Sequence, residues 1–123
     1  MADNRQQFGK MGEELAVAHL RKKGYKVIQR NYRTRIGEID IIARYKGRIV
    51  FVEVKTRRSG SYGNPKFAVT PKKQRRISMV ALEYLKKHHS MQTPARFDVV
   101  TVNTEDEGNT VDIIPNAFEL AYG

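Results

Sequence analysis

Two short strings in this chain have residue types and spacing that could do chemistry. Gly37-Glu38-Ile39-Asp40 ends on a carboxylate, and Glu53-Val54-Lys55 supplies a second carboxylate with an ammonium close by. Strand residues two apart share a face, so Glu53 and Lys55 point to the same side. Two carboxylates held a few ångströms apart repel unless a cation or a proton lies between them. Oxygen-only ligation suits a hard ion, Mg²⁺ above all, with Mn²⁺ as a substitute. Such an ion grips a phosphate oxygen and lowers the pKa of a bound water. A neighbouring lysine orients that water or neutralises the charge that develops at phosphorus. The set therefore suits metal-assisted hydrolysis of a phosphodiester. The plain alternative is a cross-strand salt bridge between a carboxylate and Lys55. Against that alternative, the apolar strand leading to Glu53 ends in ionisable groups, and charges at the end of a buried strand need a reason.

A simple succession of elements must position these groups. The spacing predicts a helix over residues 8–23, with Leu15, Ala16, His19 and Leu20 on one face and Gly24 as the stop. Residues 25–32 read as a strand, 37–43 as a second, 44–47 as a turn and 48–55 as a third strand. The β-branched run of that third strand places it centrally, covered on both faces. If the second and third strands form a hairpin, Asp40 falls beside Glu53 or a few residues away, and the sequence leaves the register open. Residues 56–68, with Gly60, Gly63 and Pro65, form a long loop of the kind that often carries function. Thr70 and Pro71, a capping threonine and a first-turn proline, open a helix that runs to about His88. Its buried stripe is Ile77, Val80, Ala81, Tyr84 and Leu85. A fourth strand follows at 96–102, a fifth at 110–114 and a short closing helix at 115–120. This order describes an α/β protein with a mixed sheet flanked by helices.

The 123 residues and 14.2 kDa suit one domain spanning residues 1–123. The absence of cysteine excludes disulfides, thiolate metal sites and thiol nucleophiles. No apolar run approaches a membrane span and the first ten residues lack an apolar signal core, so the expectation is a soluble cytoplasmic protein. The unusual quantity is a net charge of +10, which favours polyanionic partners, nucleic acid first. The excess is clustered. Between Glu53 and Glu83 stand Lys55, Arg57, Arg58, Lys66, Lys72, Lys73, Arg75 and Arg76 with no acid among them, whereas residues 103–123 hold acids and no Lys or Arg. A solvated surface is the bland reading. A face that tracks phosphates is the sharper one, because clustered cations gain most from counter-ion release. It assigns Arg57, Arg58, Lys66, Lys72, Lys73, Arg75 and Arg76 to nucleic-acid binding. The four cations in the first two turns of the second helix oppose its dipole, which hints that they serve a ligand. Tyr62 and Phe67 lie in the same stretch and suit local packing slightly better than base stacking.

Other residues read more plainly. Glu38 suits a surface or arginine-paired role better than that of an auxiliary ligand. Glu14 reads as solvated, His19 as packed or half-exposed, and Asp98 as a structural hydrogen-bond or ion-pair partner. His88 and His89 have no third ligand nearby in sequence, which argues against zinc. No Ser-His-Asp order, phosphate-binding loop or dinucleotide glycine motif is present.

Beyond single residues, a set of motifs spreads over nearly the whole chain: Gly9-x-x-Gly12-Glu13, Gly24-Tyr25, Arg30-Asn31-Tyr32-Arg33, Gly37-Glu38-Ile39-Asp40, Phe51 to Arg57, and Arg96-Phe97-Asp98-Val99-Val100. Together they resemble the YraN-like family of small bacterial proteins. That family is similar in turn to the archaeal Holliday-junction resolvases and the wider PD-(D/E)XK nuclease superfamily. The resemblance implies a restriction-endonuclease-like αβββαβ core and a Mg²⁺-dependent endonuclease acting on DNA rather than RNA, with branched DNA as one candidate substrate. It implies Asp40 and Glu53 as acidic metal ligands, the Val54 carbonyl as a third, Lys55 as the catalytic lysine, and Glu13 as the holder of a metal-bound water or a second metal. Ile39 stands where the superfamily name has proline. Symmetric nicking by a resolvase would further imply a homodimer. The rival expectations are a nucleic-acid-binding module of the same fold without catalysis, and an interaction protein whose basic face docks an acidic partner.

Overall fold

A computed structural model describes residues 4–58, 69–105 and 108–119. The elements run α1 (Asn4–Lys22), β1 (Lys26–Arg33), β2 (Glu38–Tyr45), β3 (Arg48–Arg58), α2 (Pro71–Lys87), β4 (Ala95–Glu105) and β5 (Gly108–Phe118). The five strands lie in sequence order in one sheet, antiparallel except for the parallel pair β3 and β4. A parallel pair needs a crossover, and α2 lies within it. The expected mixed α/β architecture, with its αβββαβ order, is the one observed. Among the described residues no helix is long and apolar enough to cross a membrane.

Side-chain alternation along the central strands builds two cores. Ile49 and Phe51 of β3 join Ile42, Phe97 and Val99 beneath Ile77, Val80, Tyr84 and Leu85 of α2. Val50 and Val52 join Ile41, Ala43, Val100 and Val102 beneath Ala16, Val17 and Leu20 of α1. The central strand is therefore apolar on both faces, as its sequence requires. Lys46 and Gly47, both at positive φ, make the two-residue turn between the paired residues Tyr45 and Arg48. That conformation matches the twist of the strands it joins. The Thr70 hydroxyl accepts the Lys73 N–H at 3.2 Å and Pro71 opens α2, as the cap residues predict. Gly24, at φ 96°, ends α1.

The differences from expectation lie at the ends of elements. Helix α1 begins at Asn4, not residue 8, and the turn after β2 is only Lys46 and Gly47. Residues 56–58 are strand rather than loop, because Thr56, Arg57 and Arg58 pair with Val102, Asn103 and Thr104. The remainder of that expected loop, with Tyr62, Lys66 and Phe67, lies outside the described residues. The closing helix is absent over residues 115–118, which belong to β5. Pro115 suits a helix opening, but here it sits in a register shift between the pairs Phe97–Phe118 and Val99–Ile114. A proline has no N–H for a ladder and is tolerated at such an irregularity. Asp98, fully buried, accepts the Asn116 N–H at 3.0 Å, and Phe118 stacks on Phe97 at 4.7 Å.

Asp98 also anchors a buried network. The Tyr25 hydroxyl donates to its Oδ2 at 2.9 Å, and Arg96 Nε lies 3.0 Å from its Oδ1. Burial, then the Asp98 charge, pushes the Tyr25 hydroxyl up to about 12. A structural role for Asp98 is what the geometry gives.

The approach of α1 to β3 depends on Gly12. A Cβ there would overlap the Thr56 side chain, so only glycine lets the helix carry Glu13 this close to the strand. Gly12→Ala is expected to lower unfolding free energy by about 1–3 kcal/mol, measured by urea denaturation, whereas Gly9→Ala, where a Cβ meets nothing within 4 Å, is expected to leave stability unchanged or slightly raised.

Candidate active site

The register left open by the sequence is resolved by the β2–β3 ladder, which pairs Tyr45 with Arg48 and ends at Ile41 opposite Val52. Continuing that register places Asp40 opposite Glu53. Beyond this point β2 remains paired with β1 to Glu38, and β3 remains paired with β4 to Arg58. The sheet thus forks between its second and third strands. The Val54 N–H, just past the last ladder pair, is taken by the Asp40 carboxylate at 2.8 Å.

Asp40 consequently borders both sides of the sheet. On the α1 side a cleft of about 310 Å³ is lined by Phe8, Gly9, Glu13, Asp40, Val54 and Thr56. On the α2 side a second, about 270 Å³, is lined by Gly37, Glu38, Asp40, Glu53, Lys73, Arg76 and Ile77. Of the expected catalytic set, Asp40 and Glu53 come together, and Glu13 faces Asp40 from the opposite cleft. Lys55 shares the Glu53 face and feels the charges of both Glu53 and Asp40.

The electrostatics reflect crowding. Burial, then the Glu53 charge, pushes the Asp40 carboxyl up to about 7, with Glu13 adding to the effect and the Val54 N–H opposing it. Burial also lowers the Lys55 pKa, helped by a hydrogen bond from Lys73 and its charge. Burial works against the Lys73 ammonium too, but the hydrogen bond and charge of Glu53 outweigh it and raise its pKa. The Glu53 side chain is 8 % exposed, and Lys73 Nζ lies 2.6 Å from its Oε1.

Lys73 is therefore the main departure from the sequence reading. Expected among the phosphate-tracking cations, it turns inward to the carboxylates. A hydroxyl-capped N-terminus with its amide at the third position is the sequence signal that fixes where this lysine starts. Lys72, Arg75 and Arg76 do stay exposed on the first turns of α2, and Arg76 borders the cleft, its stem against Gly37. Arg58 lies over the Phe8 ring at 4.5 Å. The Arg57 carbonyl accepts the Thr104 hydroxyl at 3.2 Å. Arg30, assigned no role from sequence, clamps Glu14 at 2.6 Å and reaches Glu13 at 3.5 Å. Glu14 is thus exposed yet ion-paired, which lowers its pKa. Glu38 pairs with Arg33 at 3.2 Å.

The oxygen donors of Asp40, Glu53 and the Val54 carbonyl are of the hard type that suits Mg²⁺ or Mn²⁺. An Asp40 carboxyl whose pKa is raised by burial and then by the neighbouring Glu53 carboxylate fits a site that takes up a cation. Among the described residues, no three histidine or acidic side chains sit close enough to hold a metal between them. A metal at this point would have Asp40 and Glu53 as its side-chain ligands.

Comparison with known proteins places this arrangement in context. The family model described as "Uncharacterised protein family UPF0102" matches residues 12–102. A UPF0102 protein of Syntrophus aciditrophicus (strain SB) is 54% identical over 115 residues, covering 94% of this chain and 91% of the relative. One from Geobacter metallireducens is 50% identical over 122 residues, covering 99% and 100%. Among solved structures, that of Pyrococcus furiosus SfsA in complex with Ca²⁺ aligns with a TM-score of 0.42 at 14% identity, over 91% of this chain, which spans 62% of that one.

The raised Asp40 pKa sets a pH dependence. Below about pH 4 the carboxyl is protonated in both the folded and unfolded chain, and its neutral form is fully accommodated. As pH rises toward 7 the unfolded chain releases the proton while the folded one retains it, so stability is lost across that window and levels off above it. Asp40→Asn abolishes this loss. Relative to wild type in chelator, the variant is expected to gain about 2–4 kcal/mol between pH 4 and pH 7, read from urea midpoints at each pH.

Proposed function

The chain belongs to the uncharacterised protein family UPF0102, and from that premise we propose that it is a metal-dependent endonuclease that hydrolyses phosphodiester bonds in DNA. The observation that carries this reading is the convergence of Asp40 and Glu53 at the forked end of the β2–β3 ladder, beside Lys55 and below the exposed cations of α2. Asp40, Glu53 and the Val54 carbonyl would hold Mg²⁺ or Mn²⁺. When bound, such an ion supplies Lewis-acid activation of the phosphate and of the attacking water. Lys55, with its lowered pKa, is suited to exchange a proton with that water or to neutralise charge at phosphorus. Glu13 sits across Asp40 in the other cleft, where it can orient a water. Lys72, Arg75 and Arg76, with Arg57, Arg58 and Lys66, would hold the phosphates that flank the cut. Branched DNA is the finer candidate substrate, and a homodimer would let two sites cut symmetric strands.

One observation favours a second reading. The Glu53 carboxylate already has an ammonium partner in Lys73, so a metal-free protein that binds nucleic acid without cutting it is chemically complete.

Incubating the protein with duplex, single-stranded and branched DNA, with Mg²⁺, Mn²⁺ or chelator, separates the two. The nuclease reading expects metal-dependent cleavage that falls at least about 100-fold in Asp40→Asn, Glu53→Gln and Lys55→Met. Cleavage equal in Asp40→Asn and wild type overturns it. Binding without cleavage at any metal concentration supports the second reading. On either reading, the log–log slope of DNA affinity against salt should become shallower by about 0.9 for each phosphate no longer neutralised, measured by fluorescence anisotropy of Arg75→Gln and Arg76→Gln.

A further inference from the structure

Lys73 leaves the row of solvent-facing cations at the start of α2 and enters the site. Its ammonium meets Glu53 Oε1 at 2.6 Å and lies beside Lys55, whose pKa its charge helps to lower. Its backbone is fixed by the bond from its N–H to the Thr70 hydroxyl, while its long stem is the part free to move. The side chain is 38 % exposed and borders the same cleft as Asp40 and Arg76, so it has an outward path.

A buried carboxylate needs a cation beside it, and in the chain alone Lys73 is that cation for Glu53. A divalent ion on the same oxygens makes the ammonium redundant and repels it. We infer that Lys73 is a tethered counter-ion, which holds Glu53 in the ion-free protein, competes with a divalent cation for that carboxylate, and swings toward substrate phosphates once the cation is bound. This rests on the metal-dependent reading above. It makes Lys73 a positioning residue for Glu53 and couples the two ligands: the cation frees a group that can hold phosphate, and by linkage nucleic acid tightens the hold on the cation.

Calorimetric titration of Mn²⁺ into the intact chain tests it. Lys73→Gln is expected to bind Mn²⁺ about tenfold more tightly than wild type, the equivalent of removing a competing ion pair. Lys73→Arg keeps the pair, and Lys86→Gln removes the same charge from the last turn of α2. Both are expected to stay within about twofold of wild type. A second readout needs no variant. Acylation of Lys73 by N-hydroxysuccinimidyl acetate, followed by mass spectrometry, should rise when wild-type protein is saturated with Mn²⁺ while that of Lys86 stays constant. Unchanged or weaker Mn²⁺ binding by Lys73→Gln, or Lys73 acylation that ignores Mn²⁺, overturns the inference and leaves the metal site standing. A wild type that takes up no Mn²⁺ overturns the metal-dependent reading and the inference with it.

Discussion

The hydrogen bond from the Val54 N–H to the Asp40 carboxylate is the interaction on which the rest of the arrangement depends. A sheet interior normally satisfies each amide with a neighbouring carbonyl. Here one amide is satisfied by a side chain, so the strands part without leaving that donor orphaned. The halves of the sheet on either side, β1 with β2 and β3 with β4 and β5, remain laddered. The opening is therefore bounded by laddered strands on both sides. It puts a carboxylate in the plane of the sheet, where both faces reach it.

Each face then brings something different to the notch. Helix α1, drawn in at Gly12, offers Glu13, itself clamped by Arg30. Helix α2, fixed by its Thr70 cap, offers Lys73 and the rim cation Arg76. The protein is strongly basic as a whole, yet its most buried charges at this point are acidic. That contrast suits a surface that attracts a polyanion and a centre that repels it unless cations intervene. Two lysines and two carboxylates meet on the α2 side, and the close ion pair among them is that of Lys73 with Glu53. Burial and the Glu53 charge raise the Asp40 pKa, while burial and Lys73 lower that of Lys55, so the group is crowded rather than evenly satisfied.

Much of this was legible from residue types. The apolar run into Glu53 identified the central strand, and Thr70-Pro71 identified where α2 begins. The two motif strings singled out Asp40, Glu53 and Lys55, and put Glu53 and Lys55 on one face, but left open the register that sets Asp40 against Glu53. What the sequence could not supply was anything set by long-range pairing. Residues 56–58 look like loop because they are polar, and they are strand because β4 offers them partners. Pro115 looks like a helix opener, and it lies in a strand because Asp98 takes the nearby Asn116 N–H and Phe118 finds Phe97. Lys73 looks like its three cationic neighbours, and only the packing of α2 over Glu53 distinguishes it. In each case the deciding partner is remote in the chain, so local propensity had no access to it.

The parallel pairing of β3 with β4 has a consequence for how the molecule comes together. Ile49 meets Ala95 only after the whole intervening excursion has closed, and such distant encounters are entropically slow. The β2–β3 hairpin, with its two-residue turn, brings Asp40 toward Glu53 through contacts local in sequence. Helix α2, which carries Lys73, belongs to the long crossover instead. The two acids thus owe their meeting to a two-residue turn, and the lysine on Glu53 owes its place to pairing at high sequence separation. A change that loosens the crossover would reach the ammonium before it reached the carboxylates.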